Sequence, residues 1–294
     1  MGKKNRYLKV GLGLLLLFLS SLSCNFVKGI VQSNQASPVV ISSLTPVNST
    51  AINQNPPLAA PTAGQKPNVH FEGISFTYDN DLVKDVNATI IPAKDSETED
   101  RLFSVTPKMD QFEFQGYGLN KTYPIGKIDV FSTQEYESLA GDRISKEINS
   151  LKKSLSVHPK DSSSPLPMLP MVMAAEVFHS QVKYIKFQNG EGLRFVTQFA
   201  SDVSPVTNDR IIYTFQGITS DGAYYINATF RENNGILAAN YDDFMKSQDF
   251  NKFNENYQSY MANTQEKLNQ QPDDSFNPSL GSLDTMISSL KIDK

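Results

Sequence analysis

RIIYTFQGIT (residues 210–219), Ser220-Asp221-Gly222 and AYYINATFR (residues 223–231) decide how this chain folds. Two runs rich in β-branched and aromatic residues flank an Asp-Gly pair, the strongest short-range signal for a β-hairpin. A second hairpin is predicted just upstream, with strands over 181–188 and 193–199 around a turn at Asn189-Gly190-Glu191-Gly192. Further toward the N-terminus, VHFEGISFTY (residues 69–78) alternates apolar and polar residues and predicts a first strand, with 88–92 as its partner. QFEFQGY (residues 111–117) alternates again, and 127–131 is another short strand.

Helices are predicted between and after these strands. Ser132-Thr-Gln-Glu135 has the spacing of a capping box, in which each side chain satisfies the other residue's backbone amide. Tyr136, Leu139, Ile144, Ile148, Leu151 and Leu155 follow at near-helical spacing, with Lys152 and Lys153 where cations suit the helix dipole. Phe250, Phe253, Tyr257, Tyr260, Met261, Thr264 and Leu268 form another stripe. Asn277-Pro278 fits an N-cap with proline at the first helical position, and Leu280, Leu283, Met286, Ile287 and Leu290 give the last helix an apolar face. The fold class is therefore α+β: an antiparallel sheet of about six to seven strands packed with helices, in one domain over 68–294. Between 156 and 171 the chain reads SVHPKDSSSPLPMLPM, long for a connection inside a domain. Its Pro165, Leu166, Met168, Leu169, Pro170 and Met171 make it the best candidate for a partner contact or lid.

The first 67 residues have a different character. Lys3, Lys4, Arg6 and Lys9 precede the apolar run VGLGLLLLFL (residues 10–19) and the small residues Ser20-Ser-Leu-Ser23, the three parts of a signal peptide over 1–23. The run is shorter than the roughly 20 residues of a membrane-spanning helix. The only cysteine, Cys24, comes next, and the leucine of Ser21-Leu22-Ser23-Cys24 stands one place later than a bacterial lipobox places it. The same small residues suit ordinary signal peptidase. Lipidation of Cys24 is favoured because an exported protein with one unpaired thiol otherwise invites unwanted pairing. Residues 31–67 are uncharged until Lys66, lack aromatics and are rich in Ser, Asn, Gln, Thr, Ala and Pro. Such a composition predicts a disordered linker over 24–67, because it offers too little apolar surface to offset the entropy of ordering.

The whole chain carries a net charge of −4, and losing the four cations before the apolar run takes it to −8. An acidic domain is repelled by phosphate, which argues against nucleic acid as a partner. Contact with the membrane would come from the acyl groups on Cys24, and stable anchoring takes more than one chain. An envelope protein is the expected macromolecular partner.

Tyr213-Thr-Phe-Gln-Gly217, Asp221-Gly-Ala-Tyr-Tyr225 and the late helix Leu283-Asp-Thr-Met-Ile-Ser-Ser-Leu290 resemble the closing half of the PsbP-like α/β/α sandwich. The span from Val69 is also similar to a family of uncharacterised bacterial lipoproteins. The first resemblance implies a central antiparallel sheet between helices and a non-catalytic accessory or binding role, and it carries over no functional residue.

Candidate chemistry is sparse. Glu176-Val-Phe-His179 has the Glu-x-x-His spacing of one half of a di-iron site, but the second half is missing, and an exposed helix or strand edge is the simpler reading. Asp79-Asn-Asp81 begins like a calcium loop, yet Val83, Lys84 and Ile90 stand where an oxygen ligand, a glycine and a bidentate glutamate belong. Asp242-Asp243 and Asp273-Asp274 read as solvated helix-flanking charges. Ser180 beside His179 does not make a dyad by adjacency, and no Gly-x-Ser-x-Gly elbow, P-loop or dinucleotide fingerprint is present. Asn48, Asn87, Asn120 and Asn227 stand in N-x-S/T triplets that this composition produces by chance. Tyr213, Tyr224 and Tyr225 read as sheet and core residues. No catalytic residue, cofactor or metal is expected, and the sequence points to a lipid-anchored binding or accessory module. A surface hydrolase with paired carboxylates and a small-ligand-binding lipoprotein are the alternatives.

Overall fold

The computed structural model describes residues 68–95, 101–117, 126–159 and 165–294. The proposed signal peptide, Cys24, the linker, Asn48, Asn120 and residues 160–164 of the long connection lie outside the described residues.

The hairpin that decides the fold forms as read. β8 (Ile212–Thr219) pairs antiparallel with β9 (Tyr224–Arg231), from Ile212↔Arg231 to Ile218↔Tyr225. In the turn, Asp221 Oδ1 accepts from Thr219 Oγ1 at 2.6 Å and from the Ala223 amide at 3.0 Å, while Gly222 takes a φ of 75°. The two strands are buried on both faces, which is why they read as nearly continuous apolar runs. They are the middle of a seven-stranded antiparallel sheet in the order β3-β4-β5-β9-β8-β7-β6. The other members are β3 (Val86–Ile91), β4 (Met109–Phe114), β5 (Gly126–Ser132), β6 (Ala175–Phe187) and β7 (Gly190–Ala200).

The β6–β7 turn is tighter than its glycines suggest. Phe187 pairs with Gly190, so only Gln188 and Asn189 turn, and the predicted four-residue turn is corrected to two. Gly190 and Gly192 are strand residues whose missing side chains make room for aromatic rings. A Cβ on Gly192 would lie 2.2 Å from Phe215 Cζ, and one on Gly190 2.2 Å from Phe187 Cζ.

The stretch 69–78 is two strands rather than one. Glu72 and Gly73 both take positive φ (47° and 74°) and fold β1 (Asn68–Phe71) onto β2 (Ile74–Thr77), a two-residue turn hidden inside the alternation. β2 then pairs with β12 (Lys291–Ile292) in a separate three-stranded sheet, and β3 pairs with β4 instead of with the first strand.

Each face of the large sheet carries its own core. On one, Phe112, Ile128, Phe215, Ile226 and Phe230 pack with Phe76 of β2, with Met261 and Leu268 of α6 (Tyr257–Asn269), and with Leu283 and Ile287 of α7 (Leu280–Ser288). On the other, Phe131, Leu193, Phe195, Ile218 and Tyr225 meet Tyr136 of α2 (Thr133–Ala140) and Ile144, Ile148 and Leu151 of α3 (Asp142–Val157). The single helix expected after Ser132 is thus two, split at Gly141 with its φ of 72°. Ser132 Oγ caps α2 through the Glu135 amide at 3.2 Å. The return half of the box is replaced, because Glu135 Oε1 accepts from the Lys108 amide at 3.1 Å.

The stripe from Phe250 is likewise interrupted, at Asn256, into α5 (Phe250–Glu255) and α6. The shorter elements α1 (Arg101–Ser104) and α4 (Tyr241–Met245) complete the helices of the described residues. Asn277 does not cap the last helix. It lies in β11 (Phe276–Asn277), paired with β10 (Asn233–Asn234), and Ser279 is the residue before α7. No helix among the described residues is long and apolar enough to cross a membrane.

Candidate functional site

The largest concentration of charge lies inside the first core. Arg194 of β7 is 1% exposed and points between the sheet and α7. Asp284, on the buried face of α7, accepts from Arg194 Nε at 3.2 Å and Nη2 at 3.0 Å, from the Tyr213 hydroxyl at 3.2 Å and from Lys183 Nζ at 2.8 Å. Arg194 also donates to Asp273 Oδ1 at 3.2 Å and to the Gln181 carbonyl at 2.6 Å. Burial works against the guanidinium's charge, but Asp284, joined by Tyr213 and Asp273, outweighs it and holds the pKa above the ordinary value. Burial, reinforced by Asp284, pushes the Tyr213 hydroxyl well above its usual range. Gln181, at a bulge of β6 with a φ of 56°, donates from Nε2 to the carbonyls of Leu268 and Gln271 and ties the strand to the end of α6.

The opposite face carries a counterpart made mostly of amides. Gln111, Asp129, Asn227 and Gln216 sit opposite one another on four neighbouring strands and form a polar row across the sheet. Asp129 accepts from Gln111 Nε2 at 2.8 Å, from Asn227 Nδ2 at 3.2 Å and from Lys127 Nζ at 2.7 Å. Gln216 Nε2 donates to Asn227 Oδ1 at 2.8 Å, and Gln216 Oε1 accepts from the Tyr225 hydroxyl at 2.8 Å. The row is capped by part of the long connection: the Leu169 amide donates to Gln216 Oε1 at 3.1 Å, and Met168 Sδ accepts from Gln216 Nε2 at 3.0 Å. Leu166 and Leu169 are buried in the second core, so 165–171 is a strap lying on the sheet rather than an exposed partner contact. Apolar side chains on a proline-stiffened segment find the nearest unfilled sheet face.

Glu176 and His179 do meet, but on strand β6. A register shift between Glu176 and Phe178 turns both side chains to one face, where His179 Nδ1 lies 2.6 Å from Glu176 Oε1. Both are buried rather than exposed, and Glu176 Oε2 accepts from the Leu166 amide of the strap at 3.1 Å. The carboxylate is thus engaged on both oxygens. Ser180 projects from the opposite face to His179, as alternate strand residues do, so the two form no dyad. Asp79 Oδ1 accepts from the Asp81 amide at 3.1 Å in an exposed turn. Among the described residues no three His, Cys, Asp or Glu side chains come together as a metal-binding group. Asp242 and Asp243 lie in the first turn of α4, as read, whereas Asp273 is not merely solvated, since it reaches Arg194. Of the asparagine triplets, Asn227 is buried in the polar row and Asn87 is exposed on β3. Tyr213 and Tyr225 are fully buried, and Tyr224 lies partly covered at the edge of the first core.

On the surface, a notch of about 240 Å³ opens between the end of β2 and the start of α7. Thr77, Asp79, Ser279, Ser282 and Thr285 give it a polar lining with Tyr78 and Met286 at its base. It is smaller than the roughly 300–1,000 Å³ of drug-sized ligand pockets. Compared with models of known protein families and with curated proteins, the sequence matches none. The charged and amide groups described above were not identified from sequence. Their signal was a charge set inside an apolar pattern: Arg194 within LRFVTQF, and Asp284 on the helix face bearing Leu280, Leu283 and Ile287.

Proposed function

We propose that this protein is exported, held by a lipid on Cys24, and acts outside the cytoplasm as a binding or accessory module of the cell envelope. The observation that carries this reading is the order of its N-terminal sequence: four cations, a ten-residue apolar run, small residues, the single cysteine and an uncharged spacer. The similarity of the domain to the PsbP-like sandwich superfamily supports a non-catalytic role. So does the use of three of its buried carboxylates. Asp129, Asp284 and Glu176 each accept two or more hydrogen bonds from the protein itself, an arrangement that spends them on holding layers together.

The test is the intact mass of the membrane-extracted protein beside a Cys24→Ala variant. A diacylglyceryl-sized increment on Cys24, with the variant released in soluble form, is the expected result. An unmodified chain beginning at or near Cys24 refutes the lipid anchor.

A further inference from the structure

Glu232 follows β9 and is 0% exposed, and no side chain donates to either of its carboxylate oxygens; the backbone amide of Asn233 is the donor beside them, short of good hydrogen-bond geometry. Its charged and titratable neighbours come from every element around it: Arg194 of β7, Tyr213 of β8, Asp284 of α7 and Tyr117 from the loop after β4. Each is committed elsewhere. Tyr117 donates to the Arg231 carbonyl at 3.1 Å, Tyr213 donates to Asp284, and the Arg194 donors go to Asp284, Asp273 and Gln181. Arg231, the residue before it, turns to the other face of the strand, where its Nη1 donates to the Asp209 carbonyl and its buried Nε has no partner. Lys183 and Arg194 are balanced by Asp273 and Asp284, so Glu232 is an acid left over.

An ionised carboxylate buried without a partner is strongly disfavoured; it stays protonated or reaches water. The chain reaches the surface close by, with Asn233 half-buried and Gly235 exposed. The residues after Glu232 are β10, which holds β11 by a two-residue pairing, and Asn234 Nδ2 reaches Ser275 Oγ at 3.1 Å.

We propose that Glu232 is a proton-operated latch: the closed domain holds it as the neutral acid, and its ionisation parts β10 from β11 and the start of α7. Burial pushes this carboxyl well above the usual range, and Asp284 adds to the shift. Arg194 and the Asn233 amide oppose it without cancelling it. For an acid raised in the folded state, the native form keeps a proton that the unfolded chain gives up. Its stabilising effect is complete below the ordinary glutamate pKa and is lost as pH rises through the folded value.

The experiment compares the full-length protein with Glu232→Gln in urea unfolding from pH 5 to 8.5, alongside amide exchange of residues 232–237 and 275–280. The wild-type unfolding constant is expected to rise, relative to the variant, by up to about tenfold per pH unit until the native pKa is passed. Exchange in both segments should quicken with pH in the wild type beyond the intrinsic rate, and not in the variant. Equal pH slopes for the two proteins overturn the proposal. Should the variant not fold, carbon-13 titration of the wild-type Glu232 carboxyl decides: a midpoint in the ordinary range overturns it, and one well above supports it.

Discussion

Replacing Asp284 by alanine should be among the most damaging single changes in the domain. The substitution leaves the Arg194 guanidinium, which belongs to a residue 1% exposed, without the carboxylate that takes two of its donors. Breaking a buried ion pair from one side costs about 3–5 kcal/mol, since the remaining charge stays desolvated. Two features place this case toward the lower end: Asp273 still reaches Arg194 at 3.2 Å, and the Gln181 carbonyl still accepts at 2.6 Å. The orphaned Tyr213 hydroxyl adds about 1–3 kcal/mol if it finds no water.

A loss of about 4 kcal/mol is therefore expected in urea unfolding. It should be followed by far-UV circular dichroism because the chain has no tryptophan to report. The control is the triple replacement Arg194→Met, Asp284→Leu and Tyr213→Phe, which removes the three buried members at once, leaves the part-exposed Lys183 and Asp273 facing each other, and should recover most of the loss, as apolar replacements of buried pairs do. A cost below about 1 kcal/mol for Asp284→Ala would show that the guanidinium is solvated after all. A triple variant no better than the single one would place the loss in packing rather than in the stranded charge.

Gly192→Ala should destabilise by about 1–3 kcal/mol, because its Cβ would lie 2.2 Å from Phe215 Cζ in a packed core; a neutral result in thermal unfolding contradicts the strand assignment. Gln216→Ala strips the Leu169 amide and the Tyr225 hydroxyl of their acceptor, at about 1–3 kcal/mol. It should also make residues 165–171 cleavable by protease while the rest of the domain resists, and uniform resistance counts against the strap.

The layout of the sheet was readable where each residue's local preference agreed with its tertiary role. Asp221-Gly222 needs a turn wherever it stands, and the aromatic and β-branched residues around it suit a strand buried on both sides. The readings went astray where one residue type serves two purposes. Gly190 and Gly192 look like turn glycines, yet they are strand positions kept bare for Phe187 and Phe215, a fact held in residues up to 23 places away. Gly73 stands inside what alternation alone joins into one strand and is part of the turn itself, while Gly141 divides what helical spacing alone joins. The polar row and the Arg194 cluster were out of reach for a simpler reason. Gln111, Asp129, Asn227 and Gln216 become neighbours only once strand order is known, and nothing local distinguishes them from surface residues.

The order of events in the chain gives the last helix more weight than its length suggests. Asp284, which satisfies Arg194, is followed by ten residues, and that segment stitches distant elements together. Ser289 Oγ accepts from the Thr77 amide at 2.9 Å, and the Asp293 amide donates to the Gly73 carbonyl at 2.7 Å. Asn189 both donates to the Ile292 carbonyl at 2.6 Å and accepts from the Ile292 amide at 3.1 Å, while Lys294 pairs with Asp110. β2, near the start of the described residues, thus gains its second neighbour only when β12 exists. Until then Arg194 lacks its carboxylate, and the core between the sheet and α7 lacks Leu280, Leu283, Met286 and Ile287. The charge that most needs a partner is thus satisfied only once α7 is in place, so closure of this core waits on the last helix.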